Sequence, residues 1–236
     1  TFPWQYLFAR GLVIFLLLNC YLFLEEGMDF YKNYLKIGMS GIIGGIGLGT
    51  AMITFIWSIT NTTAAITLLC LAAMPFITAL LGFLFLKEKI SVNVWIAIFV
   101  ASIGVAIMAI GSSSLGSING LIFGLASAFG FSIFSVSLRW RKETPKFTTV
   151  AIAGLFCCLF SLVVILQNDL NFLSSSKNEG LFALHGTFVC LGLILYSIGS
   201  KAIPAAELTL LSLTEVIGGI FWVWIPIFGI NEIPTN

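Results

Sequence analysis

Pro204-Ala205-Ala206-Glu207 opens an apolar run that reaches Ile230 and closes on Asn231-Glu232-Ile233-Pro234-Thr235. The run is long enough to cross a ~30 Å hydrocarbon core, which takes about 20 helical residues. Pro204 suits a first helical position, where its missing N–H costs nothing. Glu215 then stands roughly 15 Å along the helix at about 1.5 Å per residue. That depth is near the bilayer centre, where a carboxylate costs on the order of 2.5–3.5 kcal/mol to insert. Glu215 is therefore the leading candidate functional group. It could anchor a substrate amine or accept a proton. The structural alternative is a protonated carboxyl bonded to a neighbouring helix.

The rest of the chain has the same character. Of its 236 residues, 59% are hydrophobic and 9% charged, against about 25% charged in soluble domains. So few charges cannot cover a water-facing surface, and the fold class expected is all-α, a polytopic membrane helical bundle. Strands are excluded because the runs are long, lack period-2 alternation and would leave backbone groups unpaired in lipid. The five cysteines lie in apolar runs with no C-x-x-C, as expected of small packing residues. A lone histidine, His185, excludes a histidine metal cluster, and no cofactor or metal is expected. No nucleic-acid-binding or ATP-binding pattern is present.

Eight spans follow from the apolar runs: Trp4–Leu24, Ile37–Ile59, Thr62–Leu86, Val92–Ile110, Ile118–Leu138, Phe147–Leu166, Leu181–Ala202 and Pro204–Ile230. The uncharged linker Gly111–Ser117 is the natural midpoint. The longest loop expected is Gln167–Gly180. Alternate loops carry nine basic residues on one side (Lys32, Lys36, Lys87, Lys89, Arg139, Arg141, Lys142, Lys146, Lys201) and one, Lys177, on the other. By the positive-inside rule the first side is cytoplasmic. Gly41, Gly45 and Gly49, with Gly44 and Gly47 beside them, and the pair Gly120 and Gly124 form small-residue faces. These suit close helix packing; room for a substrate is the functional alternative.

The opening stretch has an earlier counterpart. Asn61-Thr62-Thr63-Ala64-Ala65 leads into an apolar run containing Pro75 and ends on Leu86-Lys87-Glu88-Lys89-Ile90-Ser91. Ala65 to Glu88 is 23 positions and Ala206 to Glu232 is 26, so the second copy is about one turn longer. Glu88 falls on the basic side and Glu232 on the opposite side. The copies are therefore inverted, five crossings apart. Inverted repeats are a common plan for secondary transporters, with the site near the midplane.

These residues, Thr62–Ser91 and Pro204–Thr235, resemble the EamA-type branch of the drug/metabolite transporter superfamily. Phe8-Ala9-Arg10 resembles the arginine common early in that family's second helix. The resemblance implies inverted five-helix repeats, eight spans present and ten expected. One helix is then expected before Trp4 and one after Ile230. The repeats are expected at 1–111 and 118–236. It also implies a permease, not an enzyme, that moves a small organic metabolite, an amino acid or related compound among the candidates. Alternating access across the plasma membrane, multi-pass as in a bacterial inner membrane, is the expected mode, with the resemblance tilting toward export. Its expected partners are the solute and membrane lipid, and a homodimer stays open.

The sequence departs from the family where Thr214-Glu215-Val216 replaces a frequent Glu-Pro pair. The rival class, an intramembrane enzyme on a lipid or isoprenoid substrate, needs clustered acids or histidines near an interface. Glu25, Glu26 and Asp29 are better read as a solvated turn.

The expected substrate-binding set is Glu215, Tyr196, Trp57, Asn61, Thr50 and Arg10, with Glu215 also as the proton-coupling residue. Tyr196 and Trp57 offer an aromatic ring with one polar atom, which suits a mostly apolar pocket. Trp57 equally suits an interfacial belt. Arg10 lies about 9 Å into its span by helix rise; it either snorkels outward or faces an anionic group. His185 is read as interfacial or hydrogen-bonded. Glu207 is read as an acid at a helix N-terminus.

Overall fold

The computed structural model describes residues 3–89, 91–96, 98–100, 103, 118–141, 143–171, 176–215 and 218. Its regular elements are helical throughout. In chain order they are α1 (Pro3–Glu26), α2 (Tyr31–Lys36), α3 (Gly38–Asn61), α4 (Ala64–Leu71), α5 (Met74–Leu81), α6 (Ile118–Trp140), α7 (Lys146–Gln167), α8 (Ser176–Gly199) and α9 (Ala205–Ser212). Among the described residues, six segments are long and apolar enough to cross a membrane. The remaining two expected spans begin as helix, at 92–96 and at α9. The linker Gly111–Ser117, most of the run to Ile110 and the closing Glu232–Thr235 motif lie outside the described residues.

The boundaries differ from the sequence reading in two places. The polar stretch after Glu26 is a 3-10 turn, Gly27–Phe30, followed by α2, where an open turn was expected. Lys32 pairs with Asp29 three residues earlier at 2.8 Å, and Asn33 donates to Glu26 at 2.6 Å, which winds the polar residues into helix. Gly38, at φ +60, then reverses the chain into α3, a conformation glycine takes without a Cβ penalty. In addition, α8 starts at Ser176, so the loop expected over Gln167–Gly180 is shorter.

The expected span Thr62–Leu86 is helical but not continuous. Pro75 has no N–H to return to the Leu71 carbonyl, and the helix breaks there. The Ala72 and Ala73 amides bond backwards to Leu68, Leu69 and Cys70, closing a tight turn before α5 resumes. A π-turn over Gly82–Leu86 then ends on Lys87 in a left-handed conformation (φ 55).

Packing is built on small residues. α3 lies between α6 and α7, α1 lies against α7 and α8, α4 and α5 rest on α6, and α9 rests on α5. A Cβ added at Gly47 would stand 2.9 Å from the Gly130 carbonyl oxygen, and one at Gly130 would stand 2.6 Å from that of Gly47. Gly41, Gly45 and Gly49 meet Thr149, Ile152 and Phe156 of α7, and Gly124 meets Cys70 of α4. The glycine faces therefore seat helices. Gly11 and Gly154 form a further such crossing between α1 and α7.

Lipid gives no hydrophobic drive between helices, so these close approaches and interhelical hydrogen bonds carry association. Ser58 Oγ bonds Thr67 Oγ1 at 2.8 Å and donates to the Gly120 carbonyl at 2.7 Å, tying α3, α4 and α6. Such bonds average about 0.6 kcal/mol each. Outward, large apolar side chains such as Leu24, Phe83, Phe99, Phe188 and Leu195 are exposed, as a lipid-facing surface requires.

The charge bias has a structural counterpart. Arg139, Arg141, Lys146, Glu88, Ser200 and Gly38 meet at one end of the bundle, joining the four loops that the sequence assigns to one side. Thr62 and Gly120 meet at the other end, where Gln5 also bonds the Asn171 carbonyl.

Candidate functional site

A cavity of about 620 Å³ opens inside the bundle, within the ~300–1,000 Å³ usual for small-molecule sites. α1 contributes Arg10. α3 contributes Leu48, Met52 and Phe55. The break between α4 and α5 contributes Leu71 and Met74. α6 supplies Ser127 and Phe131, α8 supplies His185, Phe188 and Tyr196, the end of α9 supplies Ser212, and the chain after it supplies Thr214 and Glu215. The walls are mostly apolar, with a few polar groups among them.

Each polar group is positioned by its own element. Arg10 is 4% exposed, so it does not snorkel. Its Nη2 donates to the Met52 carbonyl at 2.9 Å and its Nη1 to the Tyr6 hydroxyl at 3.3 Å. The Tyr6 hydroxyl in turn bonds His185 Nδ1 at 2.7 Å. Arg10, Tyr6 and His185 thus form one chain across α1 and α8. Arg10 Nε is buried with no acceptor. Glu215 is exposed at the cavity. The ion pairs among the described residues are Lys32–Asp29 and Arg139–Glu88. Among the described residues, Arg10 and Glu215 therefore share a cavity without pairing to each other or to another charge.

Tyr196 donates its hydroxyl to Ser135 Oγ at 2.7 Å and lays its ring against Phe131 and Phe134. Its polar atom is used within the bundle, which leaves the ring for the cavity. Ser127 Oγ donates to the Ala51 carbonyl at 3.0 Å. Ser132 Oγ donates to the Met74 carbonyl at 3.2 Å, which holds the start of α5 beside the break.

Three of the six expected binding residues, Glu215, Tyr196 and Arg10, come together here. The other three do not. Trp57 packs between Trp4 and Phe123. Asn61 turns back to the Trp57 carbonyl at 2.7 Å, and Thr50 serves as a backbone acceptor for Thr54. Trp57 and Asn61 lie in the last turns of α3, beyond the reach of a mid-bundle cavity. His185, Phe55, Phe131 and Phe188 were not read from the sequence as site residues. The polar tip of His185 was the available signal, and its bond to Tyr6 is what places it.

The basic end is tied shut. Arg139, in the last turn of α6, holds Glu88 through Nε at 2.5 Å and donates Nη1 to the Ser200 and Ile203 carbonyls at 3.0 and 2.8 Å. Lys146 donates to Ser200 Oγ at 3.0 Å. One guanidinium therefore joins the chain after α5, the end of α6 and the connection from α8 to α9.

Residues 2–110 match the model of the EamA-like transporter family. Over these residues the chain is similar to EamA-like transporters. The EamA-like stretch holds Arg10, the cavity face of α3 and the broken α4–α5 element; Glu215 and Tyr196 lie outside it. No curated protein matches the chain. With six segments of membrane-crossing length among the described residues, it is a multi-pass membrane protein.

Proposed function

We propose that the protein is a secondary transporter that moves a small organic metabolite across the plasma membrane by alternating access. The single observation that carries this reading is the cavity between two interrupted helices. α4 stops at Leu71 and α9 at Ser212, and the residues after each stop, Met74 and Glu215, line the same space. Broken helices beside a midplane cavity are where transporters place substrate and coupling-ion sites, because irregular backbone is tolerated in a membrane only where it lines such a space.

In this reading Glu215 orients the solute or carries a proton. The aromatic rings of Phe55, Phe131 and Tyr196 enclose the solute body. Net movement follows a gradient, with export the favoured direction. The segments 1–111 and 118–236 move against each other as inverted repeats. The Arg139–Glu88 cluster closes the basic end, so the two ends need not open together.

Solute flux into proteoliposomes tests the reading. Expected is saturable flux of at least one member of a broad metabolite panel, reduced by Glu215→Gln. No flux across the panel, together with turnover of a lipid or isoprenoid substrate, would instead favour an intramembrane enzyme.

A further inference from the structure

We propose that Arg10 is an anion-recognition residue, and that the solute the cavity takes is a small carboxylate with an apolar body. The inference rests on the transport reading for its setting but stands on its own geometry.

A guanidinium stays charged under all ordinary conditions, and a buried charge needs an anion or a full set of acceptors. Arg10 has neither among the described residues. Two of its N–H groups are engaged, by Met52 and Tyr6, the Cys157 thiol and the Tyr6 ring stand beside the guanidinium, and Nε is buried without an acceptor. Its titratable neighbours are Tyr6, the Cys157 thiol on α7 and His185 on α8, none of them a carboxylate. Glu215 lines the same cavity but is not within ion-pair distance.

The anchoring is asymmetric in a useful way. The Tyr6 hydroxyl, itself fixed by His185, and the rigid Met52 carbonyl hold the guanidinium at the cavity wall. They leave donor capacity to an incoming acceptor. A carboxylate matches a guanidinium in shape and can take two parallel hydrogen bonds.

The charge of the ligand follows from the remaining lining. The described wall holds one guanidinium and no lysine, and it includes one carboxylate, Glu215. With Glu215 protonated, Arg10 balances a single negative charge there, whereas a dianion such as a phosphate monoester leaves one charge uncompensated. Phe55, Phe131 and Phe188 then select for an apolar remainder.

The test uses the full chain purified in detergent, with phenylacetate and 4-methylvalerate as probes and their amides as uncharged counterparts. A ligand that binds only the folded protein raises its thermal midpoint. Expected is a rise with the acids and not with the amides, lost in Arg10→Gln. Where Arg10→Gln fails to fold, Tyr6→Phe keeps the charge and removes its orienting bond. That variant is expected to weaken acid binding about tenfold, or ~1.4 kcal/mol. Arg10→Lys should recover part of the acid preference. Equal effects of acid and amide, or acid binding unchanged in both Arg10→Gln and Tyr6→Phe, overturn the proposal. Acid binding without flux of any solute supports the anion site and sinks the transport reading. Flux of amides and acids alike sinks the anion site and leaves transport standing.

Discussion

The helix that stops at Leu71 and the helix that stops at Ser212 each begin on a double alanine, and each runs for 8 residues. Different chemistry interrupts them. In the first, Pro75 withholds a donor and the chain closes a tight turn over Ala72 and Ala73. In the second, hydroxyls bend the backbone. Thr209 donates to the Ala205 carbonyl at 3.1 Å, Ser212 to Thr209 at 2.7 Å and Thr214 to Leu211 at 2.8 Å. Such back-bonding competes with the helix ladder and bends it. At the corresponding offset the first helix presents Met74 and the second presents Glu215. One interruption is therefore apolar and built by backbone covalent structure. The other is polar and held by side chains that can exchange partners. A shared framework with unequal chemistry suggests that the first element shapes the cavity and the second reads its contents.

The largest effect expected from this contrast is on Glu215. Glu215→Gln should lower flux about tenfold or more, since a hydrogen bond to a charged group is worth roughly 1.5–3 kcal/mol. Adding Met74→Glu to that variant moves the carboxylate to the other interruption and should not restore flux. Recovery would show the two positions to be interchangeable and break the comparison.

Next is the seat of the first element. Gly124→Val places a side chain where an added Cβ would stand 2.8 Å from Cys70 Cβ and Sγ. Overpacking of this kind costs about 1–3 kcal/mol. A lower thermal midpoint and a poorer yield of monodisperse protein are expected. An unchanged midpoint would mean that α4 is free to shift.

A smaller effect is expected at the joint between the elements, where Arg139 spans from Glu88 to the Ile203 carbonyl. Both members of the pair are partly exposed, so the ion pair itself contributes on the order of 0–1 kcal/mol. A double-mutant cycle with Arg139→Gln and Glu88→Gln should give a coupling of that size. The single Arg139→Gln should increase labelling of a cysteine placed near Ser200 at the basic end.

The smallest effect is expected from Pro75→Ala, which restores the missing donor. A mid-helix proline costs about 3 kcal/mol or more in an ordinary helix, but this site has adapted to the break. A modest rise in thermal midpoint with reduced flux is the expected pair of results. Raised flux would count against a working role for the interruption.

Much of this was legible from the chain itself. The span ends were readable because lipid demands long uninterrupted apolar runs, and sidedness was readable because basic residues mark alternate loops. Gly47 and Gly124 announced close crossings by their spacing, and Pro75 announced a break. Glu215 and Arg10 stood out because a charge in an apolar run is expensive. The cavity's apolar wall did not stand out. Phe55, Phe131 and Phe188 sit in helices that are apolar on every side, so composition says nothing of which face turns inward. That depends on crossing geometry set by Gly47, Gly130, Gly11 and Gly154, residues that carry no side chain of their own. Trp57 and Asn61 stand apart from the cavity for a related reason. Their chemistry suits a pocket, but they lie in the last turns of α3.

The glycine crossings have a mechanical consequence. α1 and α3 precede the chain's midpoint, α6 and α7 follow it, and at Gly11, Gly47, Gly130 and Gly154 their backbones approach each other closely. Where backbone meets backbone, a crossing resists separation but offers little friction to rotation. Such crossings serve as a bearing. In the proposed alternating-access motion, a methyl group added there would act as grit, changing how fast one part swivels on the other before it changes what the cavity holds.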